Sequence, residues 1–140
     1  MNINIRPALS SDQDLIRTWV KQEGLDLTSL KWKNFMLAES NGQVVAIGQI
    51  KPLPGCNELG SLVTRKDMRR KHLASQLIEA LSATVTTPIY LLCMEQREPL
   101  YQKSGFTRIS FWQAPAILKL KLTASLIFRL KGIRVIVMRR

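Results

Sequence analysis

The chain is predicted to be a mixed α/β protein built on one sheet of about seven strands flanked by helices. Three observations carry this. Strand-like alternation and helical periodicity succeed one another in the order β-α-α-β-β-β-α-β-α-β-α-β. Asn41-Gly42 sits between two apolar runs, the mark of a tight hairpin. Ile89–Met94 is a continuous apolar run of strand length, as in a strand covered on both faces. With 140 residues, 46% of them hydrophobic and 22% charged, the chain can fill one core and is short for two, so residues 1–140 read as a single domain.

Asn2–Leu9 places Ile3 and Ile5 on one face, a short opening strand. Ser11 with Asp14 three residues later reads as a capping box, ahead of an apolar helical stripe (Leu15, Ile16, Trp19, Val20) ended by Gly24. Thr28–Asn34 reads as a second short helix. Phe35–Ser40 and Gln43–Lys51 flank Asn41-Gly42, whose type I′ turn needs φ > 0 at both central residues. Asn57–Thr64 follows a Pro/Gly turn as the next strand. Arg69–Thr84 is expected to be helical, with Leu73, Leu77 and Leu81 on one side, stopped by the β-branched run Thr84–Thr87 and Pro88. After Ile89–Met94 come a short helix, Pro99–Ser104, and a strand, Phe106–Gln113. Pro115 and Gly132 bracket an expected helix, Pro115–Lys131, and Ile133–Met138 closes the sheet.

Charge narrows the function classes. Lys and Arg number 21 against 10 Asp and Glu, a formal net charge of +11. Residues 1–98 hold 12 basic and 10 acidic side chains, whereas residues 99–140 hold 9 basic and no acidic ones. Such a chain is drawn to polyanions: nucleic acid, an anionic membrane surface or a phosphate-rich cofactor. Two cysteines cannot staple a secreted domain, so a reducing setting is expected, and the chain reads as cytoplasmic or as a mature organelle protein. The longest uncharged stretch, Ala80–Met94, has 15 residues, short of the roughly 20 that a spanning helix needs. No basic start followed by an apolar region is visible at the N-terminus, so no secretory signal is expected. A lone histidine, His72, and the lack of a Cys/His cluster speak against a metal site. Cys93, in an apolar strand, reads as a small core residue.

The segment that carries chemistry runs from Glu58 to Leu77. A strand enters a tight loop that opens a helix, and five basic residues (Arg65, Lys66, Arg69, Arg70, Lys71) crowd the turn. Helix N-termini offer free N–H groups and a partial positive charge, which suits pyrophosphate, and Arg and Lys add charge-assisted bonds.

The run Val63-(x5)-Arg69-x-x-His72-x-Ala74 resembles the acyl-CoA loop of the GNAT superfamily, the CoA-dependent N-acetyltransferases, which carry Q/R-x-x-G-x-G/A between their fourth strand and third helix. Leu100-Tyr101-Gln102-Lys103-Ser104-Gly105-Phe106 resembles that family's second signature, a Tyr shortly before Gly-Phe. Both motifs occur in order, one helix and one strand apart, and the likeness extends from Asn2 to about Phe111. It implies a single GNAT-like domain using acetyl-CoA as co-substrate. Backbone amides of Leu62 and Val63 would then polarise the thioester, and Arg69, Arg70, Lys71, His72, Leu73, Ala74 and Ser75 would cradle the pyrophosphate. The resemblance also implies that Glu58 takes the proton of the acceptor ammonium and that Tyr101 protonates the leaving thiolate.

The chain departs from the pattern in three places. His72 replaces the usual Gly, Met94 or Glu95 stands where an Asn is frequent, and the 115–131 helix is an addition. The expected activity is direct acetyl transfer to a primary amine, with a protein or peptide amine favoured over a polyamine because the positive field repels polycations, and with small amines and amino acids left open. The competing class is a non-catalytic GNAT-like module holding RNA, an anionic membrane surface or a protein through its basic C-terminal region. Charge leaves nucleic acid and membrane open, and no recognition motif selects either.

Overall fold

The structure is a computed structural model and describes residues 2–86 and 88–140; position 87, the end of the expected helix stop Thr84–Thr87, lies outside them. The strands are β1 (Ile3–Pro7), β2 (Phe35–Ser40), β3 (Gln43–Leu53), β4 (Cys56–Thr64), β5 (Ile89–Met94), β6 (Thr107–Ile109) and β7 (Val135–Arg139). The α-helices are α1 (Gln13–Gln22), α2 (Leu73–Ser82), α3 (Glu98–Gln102) and α4 (Ala116–Ser125). The strands form one mixed sheet in the order β1-β2-β3-β4-β5-β7-β6. Strands β4 and β5 run parallel, while β1–β2, β2–β3, β5–β7 and β6–β7 are antiparallel. This is the predicted mixed α/β architecture, with the added helix α4 ahead of the last strand. Its contacts fall into two compact units, Met1–Lys51 with Gly60–Val85 and Pro52–Leu59 with Thr86–Arg140.

In the first unit, Asn41 (φ 52°) and Gly42 (φ 74°) both take the left-handed backbone that the predicted hairpin turn requires. Ala46 and Ile47, neighbours on β3, go to different clusters, as strand alternation favours. Ile47 packs with Ile16 and Val20 of α1 and with Phe35 and Leu37, whereas Ala46 packs with Leu73 and Leu77 of α2. At Gly48 a Cβ would lie 2.9 Å from Leu62 Cδ1 and 3.2 Å from Leu81 Cδ1, so glycine there lets β3 and α2 close up.

Three sequence expectations in this unit are corrected. Helix α1 does not start on a Ser11–Asp14 box; Asp12 Oδ2 accepts the Leu9 N–H at 2.7 Å and is clamped by Arg6 Nη1 at 2.8 Å, with Arg6 also bonded to Glu39. Residues 28–34 form no α-helix beyond a 3-10 turn at Trp32–Asn34. Asp26 Oδ1 accepts from both the Thr28 N–H (2.8 Å) and its hydroxyl (2.7 Å), Ser29 is left-handed (φ 56°), and the Gln13 side chain binds Leu30 O and the Trp32 N–H. These local bonds outcompete the helix. Helix α2 starts at Leu73 instead of Arg69, which leaves the basic residues in a loop.

The Arg6 clamp has a pH consequence. Its hydrogen bonds hold the Asp12 carboxyl below the usual carboxylate value, with burial opposing. A depressed folded value stabilises the fold above the unfolded value and loses that contribution as pH falls through the folded one. Stability should therefore drop below about pH 4. Asp12→Asn should flatten this drop in urea melts run at several pH values; an unchanged acid slope would assign it to other carboxylates.

In the second unit, the start of β4 pairs with β5 (Glu58↔Tyr90), and β5 pairs with β7. Leu118 and Leu122 of α4 pack with Tyr90, Ile109 and Val137, so the added helix is seated on the sheet's own apolar face. Strand β6 is shorter than Phe106–Gln113 because Gln113 Oε1 accepts the Ser110 N–H at 2.9 Å and turns the chain into a 3-10 stretch, Phe111–Gln113. The 115–131 helix is also shorter than expected, passing into a 3-10 turn at Leu126–Lys131. Near its end Thr123 donates to Lys119 O at 2.8 Å and Ser125 to Leu122 O at 2.6 Å, bonds that loosen a helix terminus. Gly132 (φ 74°) then stops it, as expected.

Candidate active site

In the first unit β4 carries a buried Val63 and a half-buried Leu62, and one residue earlier Ser61 adopts φ 52° inside the strand. A left-handed residue in a strand breaks the regular ladder, as a bulge does, and re-aims the backbone groups that follow it. The sequence offered no reading of this; only Gly60 beside it hints at a disturbed strand. Ser61 Oγ accepts from Gln49 Nε2 at 2.8 Å, and the buried Gln49 Oε1 has no hydrogen-bond partner among the described residues. Two residues further along β3, the buried Lys51 ammonium meets Asp26 Oδ2 at 3.3 Å. Gln49 and Lys51 are polar groups in the core that the sequence reading missed, because a strand's alternation shows which residues share a face and not which face is covered.

The loop after β4 is a 3-10 turn, Lys66–Met68, followed by three basic residues and His72 before α2. Arg69 ties the loop back, donating to Thr64 O (3.2 Å) and to Glu23 Oε1 (3.2 Å). Arg65 pairs with Asp67 at 2.6 Å. Arg70 (φ 64°) and His72 (φ 60°) are both left-handed, and His72 is the N-cap of α2 with no side-chain cap bond to the first turn. The amides of Leu73, Ala74 and Ser75 form that uncapped first turn, the arrangement that receives a phosphate. Leu73 itself is buried and anchors the helix, so its contribution is restricted to the backbone.

His72 thus holds the conformation for which glycine is suited. Left-handed backbone costs a residue with a Cβ about 1 kcal/mol or more. Glycine's extra unfolded freedom offsets roughly half of that gain. His72→Gly should therefore stabilise the protein by about 0.5 kcal/mol in urea melts and tighten acetyl-CoA binding in calorimetry; weaker binding would show that the imidazole itself contributes.

In the second unit Glu58 is buried on β4, and its Oε1 accepts from Lys121 Nζ of α4 at 2.9 Å. The partner lies on the added helix, 63 residues away, and no spacing rule could have found it. Tyr101, on α3, is half-buried, with its ring edge-on to Phe106 at 6.2 Å. Burial pushes its phenol up to about 12, Cys93 adding to the rise and Arg97 opposing it. Burial likewise pushes the Cys93 thiol up to about 11, which keeps it a neutral core group, as expected from its strand. Among the described residues no cluster of three or more His, Cys, Asp or Glu could hold a metal ion.

The architecture matches solved structures. N-acetylglutamate synthase from Neisseria gonorrhoeae, complexed with coenzyme A and N-acetyl-glutamate, superposes with a TM-score of 0.73 at 17% identity, over 100% of this chain and 35% of that one. Rv2747 from Mycobacterium tuberculosis, in complex with CoA and NLQ, gives 0.76 at 17% identity, over 97% of each chain. Ard1 from Thermoplasma volcanium gives 0.68 at 12% identity, over 100% of this chain and 97% of that one. The chain spans about a third of the length of the synthase. At such identities the likeness concerns the fold. A sequence search of curated proteins gives no match. The sequence itself carries the assignment: the family model for the acetyltransferase (GNAT) domain matches residues 31–108, more than half of the chain, which takes in the hairpin, β4, the basic loop, α2 and the Tyr101 motif, and so the chain belongs to the GNAT acetyltransferase family.

Proposed function

We propose that the protein is an acetyl-CoA-dependent N-acetyltransferase that transfers the acetyl group directly to a primary amine. The observation that carries the reading is the left-handed basic loop before α2, in a chain of the GNAT family. Two structurally similar proteins are complexes with CoA. The uncapped first turn of α2, the backbone of residues 69–75 and the positive charge around it hold the pyrophosphate. Amides of Leu62 and Val63, next to the left-handed Ser61, hold the thioester oxygen as it becomes an oxyanion. Glu58 draws a proton from the acceptor ammonium, freeing the lone pair that attacks the carbonyl carbon. The C–N bond forms, the attacking nitrogen loses its second proton to solvent, and the C–S bond breaks with its electron pair leaving on the sulfur, which accepts a hydrogen bond from the Tyr101 hydroxyl. No covalent enzyme intermediate is needed, in keeping with a Cys93 thiol raised by burial.

The acceptor is a protein or peptide amine in preference to a polyamine, since a polycation would approach a molecule of net charge +11. The setting is cytoplasmic, in keeping with two free cysteines. The test is calorimetry of acetyl-CoA at low and moderate salt, followed by an amine screen for CoA release. Saturable one-to-one binding that survives moderate salt is expected. Binding that vanishes with salt, as for any polyanion, would overturn the enzyme reading.

A further inference from the structure

The second unit carries a surface that acetyl transfer does not use. Helix α4 turns Leu118 and Leu122 into the core, yet its other side and the 3-10 turn after it are also apolar. Among the described residues, seven of the eleven exposed large hydrophobic ones lie between positions 111 and 130. Leu130 is 89% exposed, Trp112 79%, Leu120 67% and Ile127 66%, and every residue from 126 to 132 is exposed. A helix that is apolar on both sides, with one side already buried, leaves the other for a partner.

The charge around the patch identifies that partner. Lys119 lies 5.9 Å from the Trp112 ring, and Arg129 and Lys131 interrupt the apolar run. Beside it Arg108, Arg129 and Arg134 line a cleft of about 360 Å³ with apolar walls that include Ile109 and Leu126. Glu95 holds Arg108 (3.1 Å) and Arg134 (3.5 Å), whereas Arg129 has no acidic partner among the described residues. Residues 99–140 hold nine basic and no acidic side chains. A second copy would bring two such segments together and repel. No described helix is long and apolar enough to cross a membrane.

We propose that residues 111–131 dock the protein on an anionic lipid bilayer surface. Leu120, Ile127 and Leu130 enter the headgroup–acyl boundary, Trp112 sits at its level, and Lys119, Arg129 and Lys131 meet lipid phosphates. Basic side chains among exposed apolar and aromatic ones suit this interface: the charges attract and the apolar groups hold.

The test is co-sedimentation of the full chain with vesicles of phosphatidylcholine alone and of phosphatidylcholine mixed with phosphatidylglycerol. Binding to the mixed vesicles, partly retained at moderate salt, is expected, with a blue shift in fluorescence that Trp112→Phe abolishes. Ile127→Glu with Leu130→Glu should lower partitioning by about tenfold or more while the melting temperature and acetyl-CoA affinity stay unchanged, because both side chains face solvent. No binding to mixed vesicles would overturn the proposal. So would binding that disappears with salt and ignores the apolar variant, the mark of bare charge attraction shared by RNA or an acidic protein. A dimer in light scattering that the same variant dissociates would assign the patch to a second copy instead.

Discussion

Replacing Tyr101 with phenylalanine is expected to lower kcat about a hundredfold while leaving the Kd for acetyl-CoA unchanged. The phenol is raised to about 12, chiefly by burial, so it keeps its proton at neutral pH and is available there as a donor. A thiol ordinarily titrates near 8.5, so a thiolate is too weak a base to take this proton outright. In the proposed mechanism Tyr101 is a hydrogen-bond donor to the charge building on the sulfur, an interaction made only in the transition state, and on that reading kcat falls and affinity does not. The same value fixes the sign of the alkaline behaviour: no loss of rate from Tyr101 ionisation should appear before about pH 11. Stopped assays with CoA release as readout decide it. An unchanged rate, or a fall matched by weaker binding, would remove Tyr101 from the reaction.

The second large effect concerns the Glu58–Lys121 pair. Lys121→Met would leave a buried carboxylate without its cation, and the expected loss is about 2 kcal/mol, below the range for fully buried pairs because Lys121 is partly exposed. Glu58→Gln should cost about 1 kcal/mol, since the partly exposed Lys121 ammonium can turn toward water. The double variant should be more stable than the sum of the two losses implies, and urea denaturation of all four proteins measures the coupling. Additive losses would show that the 2.9 Å contact contributes nothing. The chemistry is read separately. With Glu58 as the base, Glu58→Gln should move the rate profile toward high pH, where the amine is already neutral, and an identical profile would place the base elsewhere.

The two outcomes together separate support from catalysis at Glu58. A lysine on the added helix contacts the carboxylate to which the family resemblance gives the base role. That helix therefore does more than extend the sheet's cover. Its Lys121 contributes to the charge environment of Glu58, while Leu120 on the same helix is exposed and belongs to the surface proposed to dock on lipid.

Much of this molecule is legible in the order of its residues. Alternation, helical periodicity and the Asn41-Gly42 turn predict seven strands and their sequence, because those signals are local and each reports a backbone preference directly. The spacing from Val63 to Ala74 and from Leu100 to Phe106 points to the family for the same reason: a loop that must approach a phosphate leaves its mark within a dozen residues. Tertiary structure decided the rest. It delayed α2 to Leu73, because Arg70 and His72 take left-handed backbone where periodicity suggests helix. It replaced the 28–34 helix by an irregular segment, because the Gln13 side chain reaches Leu30 and Trp32 across 17 and 19 residues. It buried Lys51 and Gln49, paired Glu58 with Lys121 and left Ile127 and Leu130 in water. Each of these depends on which distant surface covers a face or supplies a partner, and a one-dimensional pattern records the face without recording what lies against it.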